Sequence, residues 1–153
     1  MTDIRFWTCL LFLALTACSH PLEPGDSQNA VFQDGIVYTL TLNKTTYTVR
    51  DTLSGTFSVV NQSVIIRSFA FSNVQQYGYR LRDQGGLVCM DGPNIVNPAL
   101  SSFELGPGQR RAYDLHLLLR NHAGTWMIPG RYTFEIFLSD GNYPSVSVQI
   151  TIL

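Results

Sequence analysis

From residue 36 onward apolar and polar side chains alternate almost without a break, and a period of two marks a β-strand with one dry face. Ile36, Tyr38, Leu40 and Leu42 alternate with Val37, Thr39, Thr41 and Asn43. Leu53, Gly55, Phe57 and Val59 alternate with Thr52, Ser54, Thr56 and Ser58. Residues 64–71, rich in β-branched and aromatic side chains, predict a third strand. Tyr77, Tyr79 and Leu81 against Gly78, Arg80 and Arg82 predict a fourth, closed by the turn Asp83-Gln84-Gly85-Gly86, and residues 87–90 a short fifth. Residues 100–105 are another short strand. Tyr113, Leu115, Leu117 and Leu119 then point one way while Asp114, His116 and Arg120 point the other. Tyr132, Phe134, Ile136 and Leu138 repeat the alternation, and Val146, Val148, Ile150 and Ile152 close it.

The breaks between these runs have local causes. Residues 91–99 hold Gly92, Pro93, Asn94, Asn97 and Pro98, so an irregular surface loop is expected there. Gly106-Pro107-Gly108-Gln109 is a turn in which Pro presets one dihedral angle and Gly accepts a positive one. No stretch has helical periodicity. Seven to nine short strands in about 120 residues predict an all-β fold, an antiparallel immunoglobulin-like β-sandwich over residues 35–153.

The amino-terminal part reads differently. Met-Thr-Asp-Ile-Arg precedes an apolar run over residues 6–15, long enough for a signal-peptide core and short of the about 20 residues needed to span a bilayer. Asp3 offsets Arg5, so the charged leader is weak. The run ends in Leu15-Thr16-Ala17-Cys18, which resembles the lipobox of bacterial lipoproteins. Ordinary secretory cleavage after Ala17 would place bulky Leu15 where a small side chain is required. The resemblance implies that residues 1–17 are removed and that Cys18 becomes the first mature residue, carrying a diacylglyceryl thioether and an acyl chain on its amine. Two or more chains anchor a protein stably. Ser19 after the cysteine implies outer-membrane sorting, with the domain facing the periplasm. Residues 18–34 carry Pro21, Pro24, Gly25, Asp26, Ser27, Gln28 and Asn29 and are expected to be a flexible tether.

Composition narrows the picture further. Removal of residues 1–17 from 153 leaves 136, one domain's worth of chain. The formal net charge is -1 and only 14% of residues are charged, so no basic stripe indicates nucleic acid. Of three cysteines, Cys9 leaves with the signal and Cys18 takes lipid, which leaves Cys89 without an intramolecular partner. In Leu87-Val88-Cys89-Met90 it reads as a buried, inert thiol.

Catalytic chemistry has little to stand on. GxSxG, P-loop and HExxH patterns are missing. His20 lies in the tether, His116 on the polar side of a strand and His122 in a loop, without the Cys or carboxylate cluster that would suggest a metal. The expectation is therefore no enzyme, no metal and no cofactor beyond the covalent lipid on Cys18. The sequons Asn43-Lys44-Thr45 and Asn61-Gln62-Ser63 read as chance matches, with Asn61 a turn residue. Trp126, the one tryptophan left after signal removal, reads as a lid on the sandwich end.

Four segments in order resemble one family. They are Phe57-Ser58-Val59-Val60-Asn61-Gln62-Ser63, Tyr77-Gly78-Tyr79-Arg80-Leu81-Arg82-Asp83 with Gly85-Gly86, Phe103-Glu104-Leu105-Gly106-Pro107-Gly108-Gln109, and Pro129-Gly130-Arg131-Tyr132-Thr133-Phe134. Together they are similar to the BsuPI-type domain, which takes its name from a bacterial intracellular proteinase inhibitor. The resemblance implies an immunoglobulin-like sandwich and proteinase inhibition. Two departures bear on this. The export signal places the chain away from a cytoplasmic protease, and the tryptophan-rich stretch after the Asp-Gly turn is here Leu87-Val88-Cys89-Met90.

These readings combine into a lipid-anchored protein-interaction module, a proteinase inhibitor by that resemblance, whose partners are a membrane and a protein, either a protease or an envelope component. The alternative is a structural or accessory envelope lipoprotein that touches no protease. Loops carry recognition on rigid sandwiches. The candidate contact loops are residues 91–98, with Asp91, Pro93, Asn94 and Ile95, and residues 120–126, with Arg120, His122 and Trp126.

Overall fold

A computed structural model describes residues 27–93, 97–140 and 142–153. Eleven strands and no helix occur among them: β1 (Gln28–Gln33), β2 (Ile36–Leu42), β3 (Thr46–Tyr47), β4 (Thr52–Asn61), β5 (Arg67–Phe71), β6 (Tyr77–Asp83), β7 (Val88–Gly92), β8 (Ser101–Leu105), β9 (Arg110–Leu118), β10 (Gly130–Leu138) and β11 (Ser145–Ile152). One sheet runs β1-β2-β4-β9, a second β3-β11-β10-β6-β7, and β5 pairs with β8 in a separate ribbon. All pairings are antiparallel except β3 with β11.

This is an immunoglobulin-like sandwich. β2, β4 and β9 hold the places of strands A, B and E, and β6, β7, β10 and β11 those of C, C′, F and G. The core is the alternation read from sequence: Ile36, Tyr38, Leu40 and Leu42 are buried on β2, and Phe134, Ile136 and Leu138 on β10. Phe57, Leu81 and Phe134, fully buried, pack where antibody domains place their disulfide and tryptophan. At the start of β10 the Tyr132 hydroxyl donates to the Ile128 carbonyl at 2.8 Å, the tyrosine corner of immunoglobulin-like domains.

The predicted seven to nine strands become eleven through β1 and β3. β1 corrects the tether: residues 28–33 pair along β2 from Gln28↔Thr41 to Gln33↔Ile36. The cause is Asp34-Gly35, whose φ angles of 53° and 80° make a two-residue hairpin turn. Gly35 is required twice over, since a Cβ there would stand 2.8 Å from that of Ser63. The third predicted strand also contracts, to Arg67–Phe71, and residues 64–66 are an exposed loop. Asp91 and Gly92 belong to β7 rather than to the predicted loop, with Asp91 opposite Arg80.

The sandwich has two distinct ends. At the entry end the Leu42 N–H donates to the Ser27 carbonyl at 2.7 Å, and the 83–87 turn and the 119–129 loop lie at the same end, where β4 opens at Thr52 opposite Leu118. At the far end lie the Asp34-Gly35 turn, residues 62–66, the 106–109 turn and the β5–β8 ribbon. The aromatic rings of Phe69, Phe71 and Phe103 stack in that ribbon, with Phe69 and Phe103 centroids 4.6 Å apart.

Candidate functional site

The candidate residues fall into three groups. Cys18, the signal and tether through residue 26, Asn94 and Ile95 lie outside the described residues. Asp91 and His122, thirty-one positions apart in sequence, come together: His122 Nδ1 is 3.4 Å from Asp91 Oδ1. Pro93 follows the end of β7, joined to Gly92 by a cis peptide. The two candidate loops thus meet on one flank of the sandwich.

The junction is made by the backbone as well. The His122 N–H donates to the Cys89 carbonyl at 3.3 Å, so the 119–127 loop covers part of the free edge of β7. Covering an edge strand blocks pairing with other chains. The loop is closed on itself: the Asn121 N–H donates to the Thr125 carbonyl, and the Asn121 side-chain oxygen accepts from Ala123 and Thr125 N–H at 3.0 and 3.1 Å. Arg120 bridges to Trp126, its guanidinium 4.4 Å from the indole centroid, and donates to the Gly124 carbonyl at 3.2 Å. Leu119 and Met127 root both ends in the core. Cys89, expected buried, is only partly so, because β7 is an edge strand with its outward side chains beside solvent.

A second constellation, at the far end, was not expected from sequence. Asn61 is fully buried and every polar atom of its side chain is used. Its amide nitrogen donates to the Ile65 and Leu105 carbonyls at 2.7 and 2.8 Å, and its oxygen accepts from the Ser63 N–H and hydroxyl at 2.9 and 2.7 Å. Its backbone N–H donates to Gln109, and its carbonyl accepts from Gly108 N–H at 2.7 Å. The asparagine does make a turn, as its sequence position suggests, but it also ties that turn to the end of β8, 44 residues away. Above it Val64, Ile65 and Ile66 stand 90%, 54% and 64% exposed. The only sequence signal was three consecutive β-branched aliphatics, which equally describe a strand.

Two depressions flank these groups. A small cavity of about 150 Å³ at the far end is lined by Tyr38, Arg67 and Tyr143, and Arg67 donates to the Asp34 carbonyl at 2.7 Å. Burial first, then the neighbouring Tyr143 and Asp34, push the Tyr38 hydroxyl up to about 12. An open cleft of about 580 Å³ on the outer face of the five-stranded sheet is lined by Arg82, Arg131 and Gln149, with Arg82 Nε 3.3 Å from Glu135 Oε2. Among the described residues no group of three or more His, Cys, Asp or Glu is placed to hold a metal. The chemistry these surfaces offer is recognition: apolar contact at the far end, and a stacked arginine beside a histidine–carboxylate contact on the flank.

No family model matches the chain, and no curated protein matches it. Among solved structures it is similar to a β-glucosidase from Erythrobacter marinus, at 15% identity over 88% of this chain and 16% of that one, with a TM-score of 0.47. It is also similar to the sporulation control protein Spo0M from Bacillus subtilis, at 13% identity over 78% and 50% with a TM-score of 0.44. A third is the alkylpurine DNA glycosylase AlkC of Pseudomonas fluorescens, at 12% identity over 83% and 30% with a TM-score of 0.45. The chain spans half or less of each of these.

Proposed function

We propose that this chain is an outer-membrane lipoprotein, anchored through Cys18, whose sandwich binds a protein partner and catalyses no reaction. The observation that carries the reading is the row Val64-Ile65-Ile66, exposed above a fully buried asparagine that fixes the backbone beneath it. Contiguous exposed aliphatic side chains on a soluble face mark interaction surfaces, and a pre-ordered loop binds with less entropy lost than a floppy one. Phe32, 65% exposed, is on the strand that leads into the Asp34-Gly35 turn at the same end.

Proteinase inhibition is the specific role that the resemblance to BsuPI-type domains supports. In that role the far-end row would be the contact. A substrate-like loop must offer an extended, free side chain to the protease, whereas Arg120 is folded onto Trp126 and hydrogen-bonded to Gly124. That folded arginine also favours the second reading, an accessory envelope lipoprotein that docks without entering a protease cleft.

The test uses the lipidated protein and its Ile65→Asp variant as baits in solubilised membranes, alongside a panel of serine proteases. A protease slowed by the wild type and not by Ile65→Asp supports inhibition. An envelope complex lost in Ile65→Asp, with no protease slowed, supports the accessory role. Partners retained equally by both baits would remove the far-end surface from consideration.

A further inference from the structure

The chain reaches the sandwich at a defined place. Ser27 is held at the entry end by the Leu42 N–H, and β1 departs from there toward the far end. If Cys18 carries lipid, the link from it to Ser27 spans no more than about 30 Å even fully extended. Neighbouring strands lie about 4.8 Å apart, so in the order β1-β2-β4-β9 the whole end of that sheet is within the link's reach. The anchor thus lets the entry end reach the bilayer surface, where the chain enters the sandwich.

Its surface suits that position. Leu87, Leu118 and Ile128 are 68%, 55% and 73% exposed there. Leu87 and Ile128 are tied to neighbouring positions, because the Leu87 carbonyl accepts from Asp83 N–H and the Ile128 carbonyl from Tyr132, and Asp83 and Tyr132 are register partners. Trp126, half-buried, is two residues before Ile128 in the same loop and lies under the Arg120 guanidinium. Setting aside the Arg82–Glu135 pair, among the side chains of the described residues the cations Lys44, Arg50, Arg120 and Arg131 stand with Asp51 and Asp83 at this end. At the far end Arg67, Arg110 and Arg111 are balanced by Asp34, Glu104 and Asp140. Aliphatic and indole side chains at headgroup depth, ringed by cations, are the composition that binds anionic interfaces, and a tryptophan belongs at that boundary.

We propose that the entry end of the sandwich, with Leu87, Ile128 and Trp126 among Arg50, Arg120 and Arg131, rests on an anionic bilayer surface and so points the far end away from the membrane. The inference rests on the lipoprotein reading, which supplies the anchor, and it adds an orientation that the anchor alone does not impose. A tether without docking would leave the domain free to tumble, and either end could then meet a partner.

The natively lipidated protein provides its own probe, since Trp7 leaves with the signal and Trp126 is the remaining tryptophan. The protein is reconstituted into phosphatidylglycerol vesicles doped with phosphatidylcholine brominated along its acyl chains. Trp126 emission should be quenched and shifted to shorter wavelength. Ile128→Asp and Arg131→Glu, both at exposed positions, should relieve the quenching while the protein still floats with the vesicles and melts as the wild type does. Purely zwitterionic vesicles should relieve it too. Protein that floats with anionic vesicles and shows unquenched Trp126 overturns the docking while leaving the anchor standing. A cross-linker at position 128 that captures a protein in native membranes instead of lipid overturns it as well. An unmodified Cys18 by mass spectrometry removes the anchor, and the docking proposal falls with it.

Discussion

At the far end a buried, neutral amide holds an aliphatic row in place; at the entry end aliphatic side chains sit among cations, on turns held by hydrogen bonds at the surface. The two ends expose comparable apolar side chains, yet they are built from different interactions. Asn61 makes four side-chain hydrogen bonds inside the protein, where each bond is expensive to break. Asn121 and Lys44 make theirs at the surface, where water and salt compete. The far end is suited to recognition by shape, since its backbone cannot adapt cheaply. The entry end is suited to recognition by charge, which tolerates small changes of geometry.

The most severe way to break this contrast is Asn61→Ala. It strands the Leu105 carbonyl and the Ser63 N–H and frees the 62–66 loop, a loss of about 3 kcal/mol. Denaturant unfolding measures it. A loss below about 1 kcal/mol would mean that water replaces the amide easily and that the row is not pre-ordered. Tyr132→Phe is the matching test at the entry end. The Tyr132 hydroxyl bonds a carbonyl on exposed Ile128, which solvent can satisfy, so the expected cost is smaller, about 1 kcal/mol. A Tyr132→Phe loss equal to that of Asn61→Ala would erase the difference between the ends.

Alkaline pH probes both ends with the same chemical group. Tyr38 at the far end and Tyr47 at the entry end are both pushed from 10.0 up to about 12, chiefly by burial. A neutral phenol buried in the folded state keeps its proton longer than in the unfolded chain. Their stabilising effect is therefore complete below pH 10 and lost as pH rises from about 10 to about 12. The melting temperature should fall across that window, and Tyr38→Phe and Tyr47→Phe should each flatten the fall. Tyr47 also donates to the Lys44 carbonyl at 2.7 Å, a bond that only the protonated phenol makes. A wild-type curve that stays flat to pH 12 would contradict the burial of both rings.

How far the sequence foretold these ends follows from the range of the interactions. Alternation is local, so the dry faces of β2, β4, β6, β10 and β11 were legible, and with them the all-β sandwich. The turn at Asp34-Gly35 was legible in principle, as Asp-Gly between alternating runs is a strong hairpin signal. The proline-rich stretch before it drew β1 into the expected tether instead. Residues 64–66 read as strand because their side chains favour one, and what removes them from the ladder is the Asn61 amide taking the Ile65 carbonyl. The meeting of Asp91 with His122 depends on the 119–129 loop folding back over the edge of β7. No spacing rule encodes that return, so each loop was a candidate by composition while their junction was invisible.

The smallest expected effect separates the ends most cleanly. Asp51 at the entry end accepts from Lys44 Nζ and from the Thr48 N–H at 2.6 and 2.9 Å. The Lys44 hydrogen bond first, and the Thr48 N–H next, lower its carboxyl from 3.8 to about 2. A depressed carboxylate stabilises the fold above its unfolded value, and that contribution is lost as pH falls from about 4 through about 2. The pair is exposed, so the change is slight and salt should diminish it. Asp51→Asn should lower the melting temperature a little at neutral pH and flatten the acid limb, and added salt should close the gap with the wild type. The Asn61 contacts contain no ionising group, so the Asn61→Ala deficit should hold constant over the same pH and salt range. A deficit that shrank with salt would show that charge stabilises the far end too, and the distinction between a shape-built end and a charge-built end would not stand.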